Sequence, residues 1–211
     1  MTLSQYEHLV IRDPGPAPTA VELAQLESVL GASLPRSFKQ YLQVANGGYL
    51  EYVVEIATES GETEPISFCG LFSTTSSGGE IFADEIALHR ESMQMPIGIL
   101  PFACDGGGST AFLDLTPTGS GRVVAYVHGL PEWAGKRTQS ALVELASSFD
   151  EYVAKLKVDR EAIVDHLSHD VANMNDLSAM REFIELAIPE WLQDPELSNA
   201  VREAQQMFNR S

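Results

Sequence analysis

The spacing of apolar residues changes period several times along the chain, and each change predicts an element. Leu23, Leu26 and Leu30 recur at helical spacing. Thr19 with Glu22 three residues later forms a capping-box pattern ahead of them, and Gly31 stands where such a helix would stop. A second helix begins at Leu34-Pro35-Arg36-Ser37-Phe38, where proline suits the first turn because its missing N–H had no helical partner. Phe38, Tyr41, Leu42 and Ala45 share one face of it, and Asn46-Gly47-Gly48 tolerates the positive φ that ends a helix. Tyr49 to Ile56 and Ile66 to Phe72 are rich in β-branched and aromatic residues and predict two strands. Ser76-Ser77-Gly78-Gly79 opens a helix to about Ser92, with Ile81, Phe82, Ile86 and either Leu88 or His89 facing inward. Ile97 to Ala103, Thr110 to Leu115 and Arg122 to His128 predict three more strands with short, glycine-rich links, hence an antiparallel meander. The pattern gives no element between His128 and Ser148. Ser148 with Glu151 then repeats the capping signature before Phe149, Tyr152, Val153 and Leu156.

Helices segregated from a hairpin-linked sheet predict an α+β fold, mostly antiparallel, with helices packed on the sheet. Asp13-Pro14-Gly15-Pro16-Ala17-Pro18 is too proline-rich for helix or central strand, so residues 1–18 read as an extended N-terminal lead-in. The α+β domain follows over 19–158. From Asp159 only helical periodicity remains, carried by Ile163 and Leu167, by Met180, Phe183 and Ile184, and by Val201, Ala204 and Phe208. Residues 159–211 therefore read as an all-helical extension of two or three helices.

Composition narrows the function. A chain of 211 residues with 44% hydrophobic content can bury a substantial core. No run approaches the ~18 continuous apolar residues of a membrane span. The N-terminus lacks the basic start and apolar centre of a signal peptide, so a cytoplasmic protein without a membrane role is expected. Cys69 and Cys104 lie in apolar strand-like settings and read as buried free thiols. The formal charge of −17 repels phosphate backbones and attracts a basic partner. Its distribution is uneven. No lysine or arginine lies between Lys39 and Arg90, yet that interval holds Glu51, Glu55, Glu59, Glu62, Glu64, Glu80, Asp84 and Glu85. These eight carboxylates are the candidate partner-binding residues.

Catalytic readings are weaker. Asp105-Gly106-Gly107-Gly108-Ser109 lacks the lysine and the following helix of a phosphate loop, so it reads as a tight turn. His166 and His169 are spaced to share a metal, but no second ligand helix accompanies them, and their alternation with Val164, Leu167 and Val171 favours a solvated helix face. A Ser109–His128–Asp114 triad can be drawn without a nucleophile elbow or oxyanion hole to support it. Trp133 and Trp191 suit core or interface anchors. Cys104 beside Asp105 is a poor thiolate. No catalytic residue, metal or cofactor is predicted.

Four segments in order carry a resemblance. The Leu34-Pro35-Arg36-Ser37-Phe38 helix ending at Asn46-Gly47-Gly48 comes first, then Leu100-Pro101-Phe102-Ala103 before Asp105-Gly106-Gly107-Gly108. The Asp114-Leu115 and Val123-Val124-Ala125-Tyr126-Val127-His128 strands follow, and Leu145-Ala146-Ser147-Ser148-Phe149-Asp150-Glu151-Tyr152 closes the set. Over about Thr19 to Lys157 the chain resembles the SUKH superfamily of bacterial immunity proteins and yeast cell-wall-assembly regulators. The resemblance implies an α+β fold without catalysis. It implies a cytoplasmic immunity protein that binds and neutralises a cognate polymorphic toxin, often a basic nuclease. The alternative it allows is a regulatory scaffold acting through residues 159–211. The oligomeric state stays open.

Overall fold

The computed structural model describes residues 1–57, 61–131, 133 and 138–209, with Asn209 described in its backbone alone. Strands β1 (Leu3–Tyr6) and β2 (Leu9–Arg12) form a hairpin, followed by helices α1 (Ala20–Leu30) and α2 (Arg36–Leu42). Next come β3 (Gly48–Tyr49), β4 (Tyr52–Ala57), β5 (Thr63–Ser67) and β6 (Gly70–Leu71). A 3₁₀ turn at Ser76–Gly78 precedes α3 (Phe82–Met93). The meander is β7 (Ile99–Cys104), β8 (Thr110–Asp114), β9 (Arg122–Val127) and β10 (Ala141–Ala146). Helix α4 (Phe149–Lys155), β11 (Lys157–Val158), α5 (Arg160–His169), α6 (Met174–Ala187) and α7 (Pro195–Asn209) complete the chain. The fold is α+β. Eight strands lie in the order β1-β2-β3-β6-β7-β8-β9-β10 and three in the order β11-β4-β5, with every neighbouring pair antiparallel.

Three sequence expectations are corrected by this topology. The proline-rich pattern predicts an extended lead-in, but residues 3–12 form the β1–β2 hairpin. Leu9, Val10 and Ile11 are fully buried, and the two-residue turn is made possible by Glu7 at φ 53°. Tyr52 Oη fixes the hairpin, donating to His8 O at 2.9 Å and accepting from Val10 N at 3.1 Å. The strands predicted over Tyr49–Ile56 and Ile66–Phe72 each break in two. Their outer halves pair in the three-stranded sheet and their inner halves in the large one, with Leu50 N bonded to Cys69 O at the bend. The third correction is β10, which pairs with β9 where no element was expected.

The motif segments meet in the core. Phe38 of α2, Phe102 of β7 and Phe149 of α4 form an edge-to-face cluster, with ring centroids 4.9 Å apart for Phe38–Phe149 and 5.9 Å for Phe38–Phe102. Tyr41 and Tyr152 extend it. Such pairs add about 0.5–1.5 kcal/mol each beyond their area. Asn46 is 1% exposed and joins two other segments: its Nδ2 donates to Pro16 O (2.7 Å) and Thr74 Oγ1 (3.0 Å), and its Oδ1 accepts from Thr74 N (2.8 Å). Gly47, at φ 84°, lies so close to Gly78 that a Cβ would sit 1.9 Å from its carbonyl oxygen. In the β7–β8 link, Asp105 Oδ1 accepts from Gly107 N and Ser109 N, so the carboxylate closes a turn. The core continues without a break past residue 158, through Ile163 and Leu167 of α5, Phe183 and Ile184 of α6, Trp191, and Val201 of α7.

Candidate partner-binding surface

The structure divides the eight candidate carboxylates. Glu51 lies in the bend between β3 and β4, where Arg12 Nη2 meets its Oε1 at 2.6 Å. A cation from 39 positions upstream therefore enters the interval that lacks one in sequence. Glu55 projects outward from β4. Glu64 is cross-strand from Ile56, whereas Glu55 is cross-strand from Pro65, so the two glutamates take opposite faces of the small sheet. Glu62 is exposed in the β4–β5 connection. Glu59 lies outside the described residues. Glu80, Asp84 and Glu85 form a second group at the start of α3, where carboxylates suit the positive end of the helix dipole. Glu80 Oε2 accepts from Cys104 Sγ at 3.4 Å. Burial, then the charges of Glu80 and Asp84, push the Glu85 carboxyl above its ordinary value.

The broader feature is a groove of about 600 Å³ between β4–β5 and the first turns of α5. Val53, Pro65, Val158 and Ala162 give it apolar walls, and Glu55, Asp159, Glu161 and Asp165 supply carboxylates. Arg160 also lines it, but its Nη1 is held by Asp194 Oδ2 at 2.7 Å. Asp159 caps α5 through a 3.0 Å bond from Ala162 N, and Asp165 Oδ1 lies 2.9 Å from His169 Nδ1. Sequence reasoning missed Asp159, Glu161 and Asp165. The four-residue spacing of Glu161 and Asp165 marks one helix face, but the pairing that brings them to Glu55 is β11 against β4, about a hundred residues away in sequence.

The catalytic arrangements considered from sequence are not assembled. Ser109 Oγ accepts from the His128 backbone N–H at 3.2 Å. Asp114 stands at the other end of β8, five residues on and so about 16 Å distant at ~3.3 Å per residue. There it receives Arg122 Nε at 3.1 Å, Arg122 Nη2 at 3.0 Å and Thr116 Oγ1 at 2.6 Å. Burial pushes its carboxyl up, but Thr116 and Arg122 outweigh that and leave it below its ordinary value. His166 and His169 each face a carboxylate four residues away, Asp170 at the C-cap of α5 at 3.7 Å and Asp165 within α5 at 2.9 Å. Among the described residues, no three His, Cys, Asp or Glu side chains gather at metal-binding geometry. Burial, reinforced by Glu80 and not by its neighbour Asp105, pushes the Cys104 thiol up to about 12. Trp191 is buried beneath Arg181, and Trp133 is 88% exposed. No helix among the described residues is long and apolar enough to cross a membrane.

The architecture defines an α+β scaffold with a bent antiparallel sheet, a core built from its motif segments, and carboxylate-rich recesses. The profile of the SMI1 / KNR4 family (SUKH-1) matches residues 17–155, and the chain belongs to this family. The family covers both immunity proteins and fungal regulators and is generally non-catalytic. No curated protein matches the chain. The matched span ends with α4, so the β1–β2 hairpin and α5–α7 are additions to it, and α6 packs on β2. The carboxylate groove straddles this join, with β4 and β5 inside the matched span and α5 outside it.

Proposed function

We propose that this chain is a non-catalytic immunity protein that binds and neutralises a basic toxin, a nuclease being the chemistry that fits best. The observation that carries the reading is the groove of Glu55, Asp159, Glu161 and Asp165, whose one lining cation among the described residues, Arg160, is tied to Asp194. A lysine or arginine from the partner would lay its aliphatic stem on Val53, Pro65 and Ala162 and its charge among the carboxylates. The chain's charge of −17 would speed the encounter with a basic enzyme, and nucleases are basic because they bind phosphate backbones. The site of action is the cytoplasm, where an incoming nuclease meets its substrate.

The groove also supplies a basis for specificity, because most of its lining residues lie outside the family-matched span. Of the seven described candidate carboxylates, Glu55 belongs to it, Glu64 lies on the opposite face of the small sheet, Glu62 is exposed in the β4–β5 connection, and Glu80, Asp84 and Glu85 form a separate acidic patch. Glu51 contributes less because Arg12 neutralises it.

The test is reversal of Glu55, Glu161 and Asp165 to lysine, all partly or fully exposed, which moves the net charge from −17 to −11. Association with the cognate basic toxin should slow about tenfold in low salt, and the difference should shrink at ionic strengths where the Debye length falls to ~3 Å. An unchanged rate and salt slope would remove the groove from the interface. Deleting 159–211 is a poor alternative test, since α5–α7 share the core.

A further inference from the structure

The two faces of the large sheet are covered unequally. One carries the Phe38–Phe102–Phe149 cluster under α2 and α4. On the other, the cross-strand register aligns Phe112 with Val124 and Tyr126 with Leu142. Helix α3 covers only the β7–β8 side of this face, where the His89 ring lies edge-on to Phe112 at 5.1 Å. Beyond α3, among the described residues, an open groove of about 450 Å³ runs between Met93, Met95, Ile99, Phe112, Tyr126 and Leu142. Leu142 is 67% exposed and Met93 43% exposed, which is costly for apolar side chains aligned in one recess.

The charges beside this groove select its occupant. Arg122 is bracketed by Asp114 Oδ2 at 3.0 Å and Glu144 Oε2 at 3.4 Å. One cation is thus shared by two carboxylates, and the Glu144 side chain stays 54% exposed. Among the described residues lining the groove, Arg122 is the one cation and it is already engaged, so an arriving acidic residue gains little, whereas a lysine or arginine would meet the second carboxylate. A second copy of this chain would bring the same surplus and a further charge of −17, so electrostatics opposes self-association through this face.

We propose that the outer face of β7–β10 docks an amphipathic segment of a partner protein that places apolar side chains on Phe112, Tyr126 and Leu142 and a lysine or arginine at Glu144. The proposal rests on the reading of a basic partner, but it concerns a second surface and survives if that partner is not a toxin. Methionine suits such a recess because its unbranched side chain adapts to the shape laid on it.

The probe is a synthetic peptide of alternating leucine and lysine, with its leucine–glutamate counterpart as control, followed through the methyl resonances of the full chain. The leucine–lysine peptide should shift Met93, Met95 and Leu142, and the control should not. Leu142→Ser, a change at an exposed edge-strand position, should weaken binding at least fivefold, and Glu144→Lys should weaken it comparably. The triple reversal at Glu55, Glu161 and Asp165 should leave the shifts at Met93 and Met95 in place. Shifts confined to residues of the β4–α5 groove would overturn this proposal while favouring the first reading. Equal binding of the control peptide would overturn the charge argument. Concentration-dependent shifts at Leu142 without any peptide would assign the face to a second copy and also overturn it.

Discussion

Replacing Asn46 with alanine isolates the part of the family motif that links distant segments. The side chain makes three hydrogen bonds and is 1% exposed. A net contribution of about 1 kcal/mol per bond gives about 3 kcal/mol. Relaxation or water entry at Pro16 O and Thr74 N would lower the cost, and leaving them dry would raise it, since an unsatisfied buried group costs about 1–3 kcal/mol. The expected loss is therefore about 2–4 kcal/mol, a large share of the ~5–15 kcal/mol typical of a folded protein. Asn46→Asp keeps the acceptor for Thr74 N but loses the amide donors and sets a carboxylate against the Pro16 carbonyl, so it should cost at least as much. Asn175→Ala, on the exposed start of α6, should change stability by less than about 0.5 kcal/mol. Urea unfolding would measure all three, with an unchanged m-value showing that the transition itself is the same. A loss below about 1 kcal/mol for Asn46→Ala would refute the reasoning that this side chain, rather than the glycines after it, holds the lead-in and the Thr74 loop together.

Gly119→Ala should destabilise the β8–β9 link, because a Cβ there would sit 2.0 Å from Asp114 Cγ. Calorimetry should show a lowered Tm, and NMR a changed Arg122 guanidinium environment; wild-type values of both would contradict the close packing. Among the described residues neither ring nitrogen of buried His89 is hydrogen-bonded, the Glu85 carboxylate standing 3.6 Å from Nε2, and burial holds the His89 pKa below the ordinary 6.5. The unfolded state therefore binds the proton more readily, and the wild type should lose stability as pH falls from about 6.5 towards the folded-state value. His89→Leu should lose less over that window in pH-dependent urea unfolding, and identical pH profiles would show that His89 is not responsible. Lys155, then the Ser147 hydroxyl and N–H, hold the Glu151 carboxyl down at about 2. Its carboxyl carbon should titrate there by NMR and move upward in Ser147→Ala, whereas a midpoint near 4.5 in the wild type would place the side chain in water.

Local signals were legible where their partners are also local. Thr19 and Glu22 form the reciprocal box, with Glu22 N donating to Thr19 Oγ1 at 3.2 Å and Thr19 N to Glu22 Oε2 at 2.6 Å. The matching pattern at Ser148 is only half realised: Ser148 Oγ caps Glu151 N, but the Glu151 carboxylate turns to Ser147 and Lys155. Of the two inward candidates on α3, His89 is buried and Leu88 is 54% exposed. What the pattern could not show depends on distant pairing. Ala141-Leu142-Val143-Glu144-Leu145-Ala146 has weak strand propensity and becomes β10 because β9 offers it an edge. The proline-rich run hid the hairpin before it, whose apolar strand is only four residues long. The acidic interval was real as a sequence feature, yet proximity in sequence did not make one surface. Strand alternation sends Glu55 and Glu64 to opposite faces, Arg12 arrives from the hairpin, and the groove takes its other carboxylates from α5.

The most direct test of a stoichiometric, non-catalytic inhibitor is titration of the proposed cognate toxin with this chain while the toxin's own activity is followed. Activity should fall linearly and be abolished at one chain per toxin, with an isolable complex of the same ratio that dissociates more readily in high salt. A toxin that stays fully active in an excess of the chain would contradict it. So would inactivation by substoichiometric amounts, since that would mean the chain turns over.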